Sequence, residues 1–287
     1  MNDQHYVRRL ARASGSNFYY SFLFLPGAQR EAIHAVYAFC RAVDDSVDQA
    51  DGEEEAAAHV AFWRDELAAC GAADVRRPVH PITRTLAVHM GRYPIQRRHL
   101  EEIIEGVAMD LAPRRYRTFE ELREYCYRVA SAVGLVCIEV FGYRDAAARD
   151  YAVNLGLAFQ MTNILRDVGD DAKKGRVYLP LEEMARFGCG EEDLKAKRPT
   201  AGFLDLMKFE AARARDLFSL AKSVFPARDR RTLFAAEIMG AIYEAILDEI
   251  ERRGFDVLSS RVTLSRPRKL AIATRLFLRS RLSPRAI

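Results

Sequence analysis

Hydrophobic positions recur at three- and four-residue intervals along almost the whole chain, which is the spacing of one face of an α-helix. Polar stretches interrupt the pattern at 71–80, 112–117 and 188–200. No run shows the alternation of apolar and polar residues, bounded by tight turns, that is typical of paired strands. The pattern predicts eleven helices, over residues 3–14, 26–48, 52–70, 81–91, 95–109, 118–142, 145–171, 181–187, 201–224, 227–253 and 266–282.

Local signals support several of these boundaries. Pro26 suits the first turn of the second predicted helix, where its missing N–H costs little. Thr118 followed by Glu121 is a capping-box pattern ahead of an apolar run. No internal repeat is visible, and no linker separates two apolar cores. The sequence therefore predicts a single all-α domain over residues 1–287.

Two acidic motifs lie on these predicted helices. Asp44 and Asp48 fall in AVYAFCRAVDDSVDQ, and Asp167 and Asp171 fall in AFQMTNILRDVGDDAKKGRVYLP. Residues four apart share a helix face, so each motif pairs two mutually repelling carboxylates among apolar neighbours. Mg²⁺ is a suitable counter-charge because it takes carboxylate oxygens, keeps waters and is usually shared with substrate phosphates. The motifs indicate two Mg²⁺-binding faces around one diphosphate, whereas a single such pair would more often be a solvated helix face.

Polar residues extend the second motif along its helix. Gln160, Asn163, Asp167 and Asp171 form one continuous stripe at helical spacing, with no evident packing purpose. The side-chain oxygen of Asn163 is a neutral metal ligand. The stripe therefore predicts that the metal face begins about two turns before the second aspartate pair.

Three further charged residues leave alternatives open. Arg41 and Arg166 are suited to fork onto phosphate oxygens, but each would equally form an ion pair with a neighbouring aspartate when no ligand is bound. Asp110 either lines the same cavity or caps a helix end. An apolar ligand tail would need a lining, for which the candidates are Phe18, Phe22, Leu23, Val129, Val133, Gly134, Leu135 and Leu157.

Composition excludes several classes of protein. A hydrophobic content of 49% with 29% charged residues fits a globular chain and not a disordered one. The five cysteines include no Cys-x-x-Cys, so they indicate reduced thiols in a cytoplasmic protein and neither disulfides nor zinc. Phosphate-binding and dinucleotide-binding glycine loops, Gly-x-Ser-x-Gly and nucleic-acid-binding modules are absent. Neither a signal peptide nor a transmembrane span is expected.

The net charge of +4 is unevenly distributed. Residues 261–287 hold eight basic residues and no acid, which leaves −4 for the remainder. Within the predicted helix 266–282, Leu270, Ile272, Leu276, Phe277 and Leu282 are mixed with these arginines and lysines. That mixture suits a helix lying on an anionic membrane surface. A helix that packs on the bundle and merely exposes its charge is the alternative.

With these motifs in place, the chain resembles the squalene/phytoene synthases, which are head-to-head prenyl synthases, over nearly its full length. Within that family, the opening GSNFYYSFLFLP is most similar to the bacterial presqualene diphosphate synthases of the hopanoid pathway. The stretches that carry the resemblance are SNFYYSFLFLP, YAFCRAVDDSVD, YCYRVASAVG, LGLAFQMTNILRDVGDDAKKGRVYLP and, more weakly, MGAIYEAILDEI.

The resemblance implies an isoprenoid-synthase helical bundle with a central apolar cavity, which binds two farnesyl diphosphates with Mg²⁺ as cofactor. The aspartates matching the catalytic positions are Asp44, Asp48, Asp167 and Asp171, and these together with Asn163 match the metal-binding positions. Arg261 matches a further diphosphate contact more weakly. The residues that match substrate-binding positions are Ser14, Gly15, Ser16, Asn17, Phe18, Tyr37, Arg41, Gln160, Arg166 and Tyr243.

The implied activity is Mg²⁺-dependent condensation of two farnesyl diphosphates to presqualene diphosphate. NADPH-dependent formation of squalene, and formation of phytoene from C20 substrates, remain open alternatives. A non-catalytic relative that acts as a binding or assembly protein would be expected to lose aspartates, and this chain keeps both pairs. The resemblance also leaves room for a downstream squalene-forming enzyme as partner and for contact with a membrane surface.

Overall fold

The computed structural model describes residues 2–13, 17–71, 77–112 and 114–282, and all regular structure in these ranges is helical. The α-helices are α1 Asp3–Ala13, α2 Asn17–Phe22, α3 Gly27–Asp48, α4 Glu53–Ala69, α5 Pro81–Met90, α6 Arg97–Ala108, α7 Phe119–Cys126, α8 Ala132–Phe141, α9 Ala147–Lys173, α10 Leu181–Arg186, α11 Glu191–Lys195, α12 Ala201–Ser223, α13 Phe234–Arg252 and α14 Arg266–Leu282. A π-helical segment, Tyr127–Ser131, joins α7 to α8, and a short 3-10 turn, Ala227–Asp229, precedes α13.

The predicted helices are confirmed in kind, and some of their boundaries are wrong. The helix expected over 118–142 contains the π-helical segment, and the one expected over 227–253 begins only at Phe234. The polar stretch 188–200, which the pattern predicts as a loop, contains α11. The first turn of α11 holds three acidic residues, which stabilise the N-terminus of a helix. The sequence pattern predicts no helix at α2, because its aromatic residues are weak helix formers. In the structure α2 packs against α13, and this contact stabilises it.

Thr118 begins α7 as predicted, but the reciprocal half of the capping box is different. The Thr118 hydroxyl accepts a hydrogen bond from the Glu121 N–H at 3.4 Å. The Glu121 carboxylate accepts from the Arg117 N–H at 2.7 Å, one residue earlier than the motif requires. The cap still satisfies two backbone donors that the helix itself leaves without partners.

Helix α9 lies at the centre of the bundle. It packs against α8, α12, α13 and the π-helical segment, while α3 packs against α1, α4, α5 and α8. The buried apolar side chains form one contiguous cluster from Val7 to Ala273. The two helices with acidic motifs, α3 and α9, therefore face a common interior.

Two glycines allow close packing around the π-helical segment. A Cβ atom on Gly156 of α9 would lie 2.5 Å from the Cα atom of Ser131, and one on Gly106 of α6 would lie 2.7 Å from Val129 Cγ1. Neither position therefore has room for a larger residue. π-helical segments are frequent at functional sites, and Val129 and Ala130 of this segment line the central cavity of the bundle.

Helix α14 has an inner and an outer face. Phe277 stacks on Phe24 with ring centroids 4.5 Å apart, and its ring meets Phe234 edge-on at 5.5 Å. These contacts confirm that the helix packs on the bundle. On its outer face, three leucines separated by multiples of four residues are 46%, 55% and 85% exposed, namely Leu270, Leu278 and Leu282. None of the helices described is long and apolar enough to cross a bilayer.

Candidate active site

A cavity of about 320 Å³ opens into the centre of the bundle, between α3, α6, the π-helical segment, α8, α9 and α13. Its wall is largely apolar and includes Phe18, Phe22, Ile33, Val36, Ile103, Val107, Val129, Val133, Gly134, Ile138, Phe141, Leu155, Phe159 and Met239. Five of the predicted lining residues are among these. Leu23, Leu135 and Leu157 do not line it, because Leu135 and Leu157 are buried in the surrounding core and Leu23 lines a smaller cavity.

The same cavity contains seven of the polar residues that the sequence singled out, whereas Asp48, Arg166, Asp167 and Asp171 are not among the residues that line it. The seven converge from α3, from the end of α6, from α9 and from α13, and they are Tyr37, Arg41, Asp44, Asp110, Gln160, Asn163 and Tyr243. The cavity therefore combines an apolar interior with a group of charged and hydrogen-bonding side chains, which is typical of a site for an amphiphilic ligand.

The first acidic pair has one neutralised carboxylate and one without a close counter-charge. Asp48 accepts hydrogen bonds from Lys174 Nζ at 2.8 Å and Arg176 Nη1 at 2.6 Å. Burial opposes ionisation, but these two cations hold the pKa of Asp48 below its ordinary value. Burial and the charge of Asp48 raise the pKa of Asp44 to about 6. The Arg41 guanidinium, whose nearest nitrogen is 3.7 Å from the Asp44 carboxylate, opposes this rise only in part.

The second acidic pair repeats this asymmetry. Asp167 accepts hydrogen bonds from Arg166 Nε at 2.9 Å and from Arg261 Nε at 2.7 Å, which hold its pKa below the ordinary value although burial opposes this. Asp171 forms no ion pair within the part of the chain that is described. Burial and the charge of Asp167 raise the pKa of Asp171 to about 7.

The two arginines with alternative predicted roles both form ion pairs in the structure. Arg166 pairs with Asp167, as above, and Arg41 donates from Nε to Asp45 at 2.9 Å. A guanidinium binds a carboxylate and a phosphate through the same fork. Both arginines therefore lie where they could exchange an aspartate for a diphosphate oxygen.

Asn163 supplies an oxygen that no protein donor uses. Its Nδ2 donates to Gln160 Oε1 at 3.2 Å, whereas its buried Oδ1 has no hydrogen-bond partner. A buried polar atom without a partner is costly unless a ligand or ion satisfies it. Because Asn163 also lines the cavity, its Oδ1 is suited to be a metal ligand, as the sequence predicts.

The residues of both faces fit a hard cation that is completed by the substrate. Among the residues described, no three acidic, histidine or cysteine side chains are close enough to hold an ion by themselves. Mg²⁺ typically takes only one or two carboxylates and fills its other positions with waters and phosphate oxygens. Among the described residues, Asn163 Oδ1 has no hydrogen-bond partner, Asp171 forms no ion pair, and Asp44 has only the Arg41 guanidinium at 3.7 Å.

Asp110 lines the cavity, which decides between its two predicted roles. It accepts hydrogen bonds from Tyr125 Oη at 2.8 Å and from Tyr178 Oη at 3.0 Å, and these two rings stack with centroids 5.1 Å apart. Burial raises the pKa of Asp110 in spite of these bonds. Tyr178 was missed by sequence reasoning, although its position in GRVYLP directly after the second motif was a usable signal.

The remaining predicted substrate contacts are only partly visible. Ser14, Gly15 and Ser16 lie outside the described residues, as does the side chain of Asn17. Phe18 lines the cavity, with its ring centroid 6.4 Å from that of Tyr243. The Tyr243 ring in turn stacks on Phe159 at 4.3 Å. The structure thus brings together the side chains predicted from α3, α9 and α13.

Comparison with known proteins identifies the family that shares this arrangement. The sequence profile described as "Squalene/phytoene synthase" matches residues 11–268. The chain belongs to the squalene/phytoene synthase family. Among its relatives, phytoene synthase of Arthrospira platensis is 34% identical over 96% of this chain and 92% of that protein. The 15-cis-phytoene synthase of Synechococcus elongatus is 36% identical over 92% of this chain and 88% of that protein.

Solved structures from the squalene/phytoene synthases confirm the predicted all-α isoprenoid-synthase fold. A dehydrosqualene synthase in complex with ligand superposes with a TM-score of 0.85 and 29% identity, over 97% of each chain. Squalene synthase HpnC from Alicyclobacillus acidocaldarius superposes with a TM-score of 0.77 and 30% identity, over 88% of this chain and 94% of that one. The relatives therefore include proteins named for different products.

The raised pKa of Asp171 gives a prediction for this family member without metal. Since the pKa is raised from 3.8 to about 7, the folded state is penalised as pH rises through that window and fully penalised above it. In EDTA at about pH 8, Asp171→Asn should therefore raise the thermal midpoint by a few degrees. The gain should disappear below about pH 4, where the carboxyl is protonated in both states.

The matched control is Asp170→Asn, because Asp170 is the adjacent residue but is exposed and paired with Lys173 at 2.6 Å. That variant should change the midpoint little at either pH. A lower midpoint for Asp171→Asn at the higher pH would show that the carboxylate is stabilised by the fold, contrary to this account.

Proposed function

We propose that this protein condenses two farnesyl diphosphates head to head to presqualene diphosphate, with Mg²⁺ held between the two acidic faces. The observation that carries the proposal is the asymmetry of the two aspartate pairs over an apolar cavity. In each pair one carboxylate is neutralised by basic side chains, and the other has its pKa raised by burial and by its partner. Mg²⁺ bound with a diphosphate would supply positive charge to Asp44 and Asp171, and the prenyl chains of the substrates would then lie in the cavity.

The basic residues around the aspartates would bind the diphosphate oxygens. Lys174 and Arg176 now contact Asp48, and Arg166 and Arg261 contact Asp167. When Asp48 and Asp167 bind a cation instead, the N–H groups of these basic side chains become available to phosphate oxygens, which they bind in the same geometry as a carboxylate. Bound Mg²⁺ would neutralise the negative charge that develops on the leaving diphosphate.

The reaction needs protection of a carbocation. The C1–O bond of the donor breaks, its electron pair leaves with the diphosphate, and the C2–C3 double bond of the acceptor attacks the allylic cation. Loss of one proton closes the cyclopropane, so the products are presqualene diphosphate, one diphosphate and one proton. The apolar wall excludes water that would quench the cation. The rings of Tyr37 and Tyr125 line the cavity and are available for cation–π attraction, and the released diphosphate would accept the proton.

Two lines of likeness favour different chain lengths. The opening segment resembles that of presqualene diphosphate synthases, which favours C15 substrates. The names of the relatives with 34% and 36% identity instead favour phytoene formation from C20 substrates. Formation of phytoene is therefore the second candidate. A non-catalytic role is disfavoured because both aspartate pairs are kept.

Product analysis tests the proposal. Purified protein incubated with Mg²⁺ and farnesyl diphosphate should give presqualene diphosphate, identified by mass spectrometry, and the product should be the same when NADPH is added. Asp167→Ala protein provides the inactive control. Squalene formed only when NADPH is present would identify a squalene synthase, and a strong preference for geranylgeranyl diphosphate would identify a phytoene synthase. Presqualene diphosphate keeps one diphosphate, so a squalene-forming enzyme would act after this one.

The four aspartates should each be needed for turnover. We expect Asp44→Ala, Asp48→Ala, Asp167→Ala and Asp171→Ala to lower kcat by roughly 100-fold or more, because each removes a contact to metal or to its basic partners. Asp150→Ala is the matched control, since Asp150 is an exposed aspartate near the start of α9. Melting curves in EDTA would show that the variants fold. Full turnover in Asp167→Ala protein, or in EDTA, would contradict the mechanism.

We also propose that the outer face of α14 contacts an anionic membrane surface. Leu270, Leu278 and Leu282 are exposed beside basic residues, and no acid occurs between residues 261 and 287. Leucines that enter the lipid interface, with arginines at its charged surface, would hold the helix there. Each basic residue near such a surface contributes roughly 1 kcal/mol. Substrate and product are both amphiphiles, so this position would shorten their path.

Vesicle sedimentation tests this contact without removing α14, whose loss would uncover Phe24 and Phe234. The triple variant Leu270→Gln, Leu278→Gln, Leu282→Gln should bind anionic vesicles at least tenfold more weakly than the parent at low salt. Leu220→Gln is the control, because Leu220 is 48% exposed but lies on α12. Equal binding of parent and triple variant, or no binding by the parent, would refute the membrane contact.

A further inference from the structure

A second cavity, of about 180 Å³, lies beside α1, α2 and α3 and is distinct from the central one. Among the described residues its wall is formed by Arg8, Arg12, Tyr19, Phe22, Leu23, Arg30, Glu31 and His34. Phe22 is the residue that also lines the central cavity. None of the polar residues in this wall takes part in the proposed condensation.

The wall carries an excess of positive charge. Arg8 Nη2 donates to Glu31 Oε1 at 2.9 Å, so this pair is neutral. Arg30 donates only to a backbone oxygen, that of Leu23, at 3.3 Å. Arg12 forms no ion pair within the described ranges. Three guanidinium groups facing one carboxylate leave a net charge of about +2, with most of the ten N–H donors of Arg12 and Arg30 unused.

His34 is buried in the same wall without a hydrogen-bond partner. Its exposed fraction is 4%, and neither ring nitrogen has a partner among the residues described. Burial, together with the charges of Arg30, Arg8 and Arg12, lowers the pKa of His34 to about 4. The imidazole is therefore neutral at physiological pH and presents one N–H donor and one acceptor. A buried polar ring with no partner is rare unless a ligand or water occupies the space beside it.

We propose that this cavity binds a small phosphate-type oxyanion. Guanidinium groups bind such anions through paired N–H donors. Among the described residues, Arg12 has no ion-pair partner, and Arg30 donates only from Nη1 to the Leu23 carbonyl oxygen. The neutral imidazole of His34 adds one N–H donor from the buried side. A cavity of about 180 Å³ exceeds the roughly 30 Å³ that one water occupies in the liquid, so it can hold more than a single solvent molecule.

The anion has two sources with the same chemistry. One is free inorganic phosphate or diphosphate, and diphosphate is released by the reaction proposed above. The other is the phosphate head of a lipid. Binding of either does not require the condensation to take place, so this proposal can fail or succeed independently of the proposed function.

The histidine side chain itself is the local probe. Long-range ¹H–¹⁵N spectra of ¹⁵N-histidine protein would resolve the ring signals of the six histidines, with His34 assigned from its loss in His34→Phe protein. The intact chain in EDTA would be titrated with sodium phosphate, sodium diphosphate and soluble short-chain phosphatidic acid at constant ionic strength. Because the readout is at His34, anion binding in the central cavity does not interfere.

We expect the His34 signal to shift saturably with phosphate or diphosphate, with dissociation constants in the millimolar range or below. Arg12→Gln combined with Arg30→Gln should weaken binding about tenfold or more, whereas Arg9→Gln, at an exposed position of α1, should not change it. A shift with phosphatidic acid alone would assign the site to a lipid head.

Three outcomes would overturn the proposal. A His34 signal that stays constant in all three titrations would mean that the cavity holds only water. An equal shift with sodium chloride would show a general effect of ionic strength. Unchanged affinity in the Arg12→Gln, Arg30→Gln protein would show that the anion binds elsewhere. Melting curves of this double variant would establish that it folds.

Discussion

The structure depends on how the negative charge of two aspartate pairs is held beside an apolar cavity. Two carboxylates on one helix face repel each other, and the repulsion grows as water is removed. In both pairs the fold neutralises only one member with basic residues. Lys174 and Arg176 pair with Asp48. Asp167 pairs with its neighbour Arg166 and with the distant Arg261. The other member, Asp44 or Asp171, has a raised pKa. The protein therefore holds two acidic faces whose negative charge is only partly compensated by the basic residues around them.

This constraint also explains how the two faces are kept together. Lys174 and Arg176 directly follow α9, yet their side chains reach Asp48 on α3. The Arg176 N–H donates to the Asp171 carbonyl oxygen at 2.9 Å, which fixes the turn that ends the helix. The end of one acidic helix is thus tied to the end of the other. The contact at this point consists of the ion pairs of Lys174 and Arg176 with Asp48, and it does not fill the central apolar cavity.

The sequence predicted the helices and the acidic motifs because both depend on local spacing. It also offered the ion pair of Arg166 with its neighbour Asp167. It could not predict the partners that are distant in sequence, since Arg261 lies 94 residues from Asp167 and Arg176 lies 128 residues from Asp48. The π-helical segment was missed for a related reason. The segment packs closely against Gly106 and Gly156, which are distant in sequence, whereas its local sequence predicts an ordinary α-helix.

The position of Asp110 suggests why a third acid is useful in such a site. It binds no basic residue directly; instead it accepts hydrogen bonds from the hydroxyls of Tyr125 and Tyr178, whose rings are stacked. Burial raises the pKa of Tyr125, so its hydroxyl stays protonated and continues to donate.

In the proposed reaction, strong attraction to the departing diphosphate keeps the allylic cation near the polar side chains, because charges interact strongly where water is excluded. The Tyr125 ring lines that cavity, and its orientation is fixed through its hydroxyl. Asp110, which lines the same cavity, would therefore contribute by holding this aromatic face in place through its hydrogen bond with the Tyr125 hydroxyl.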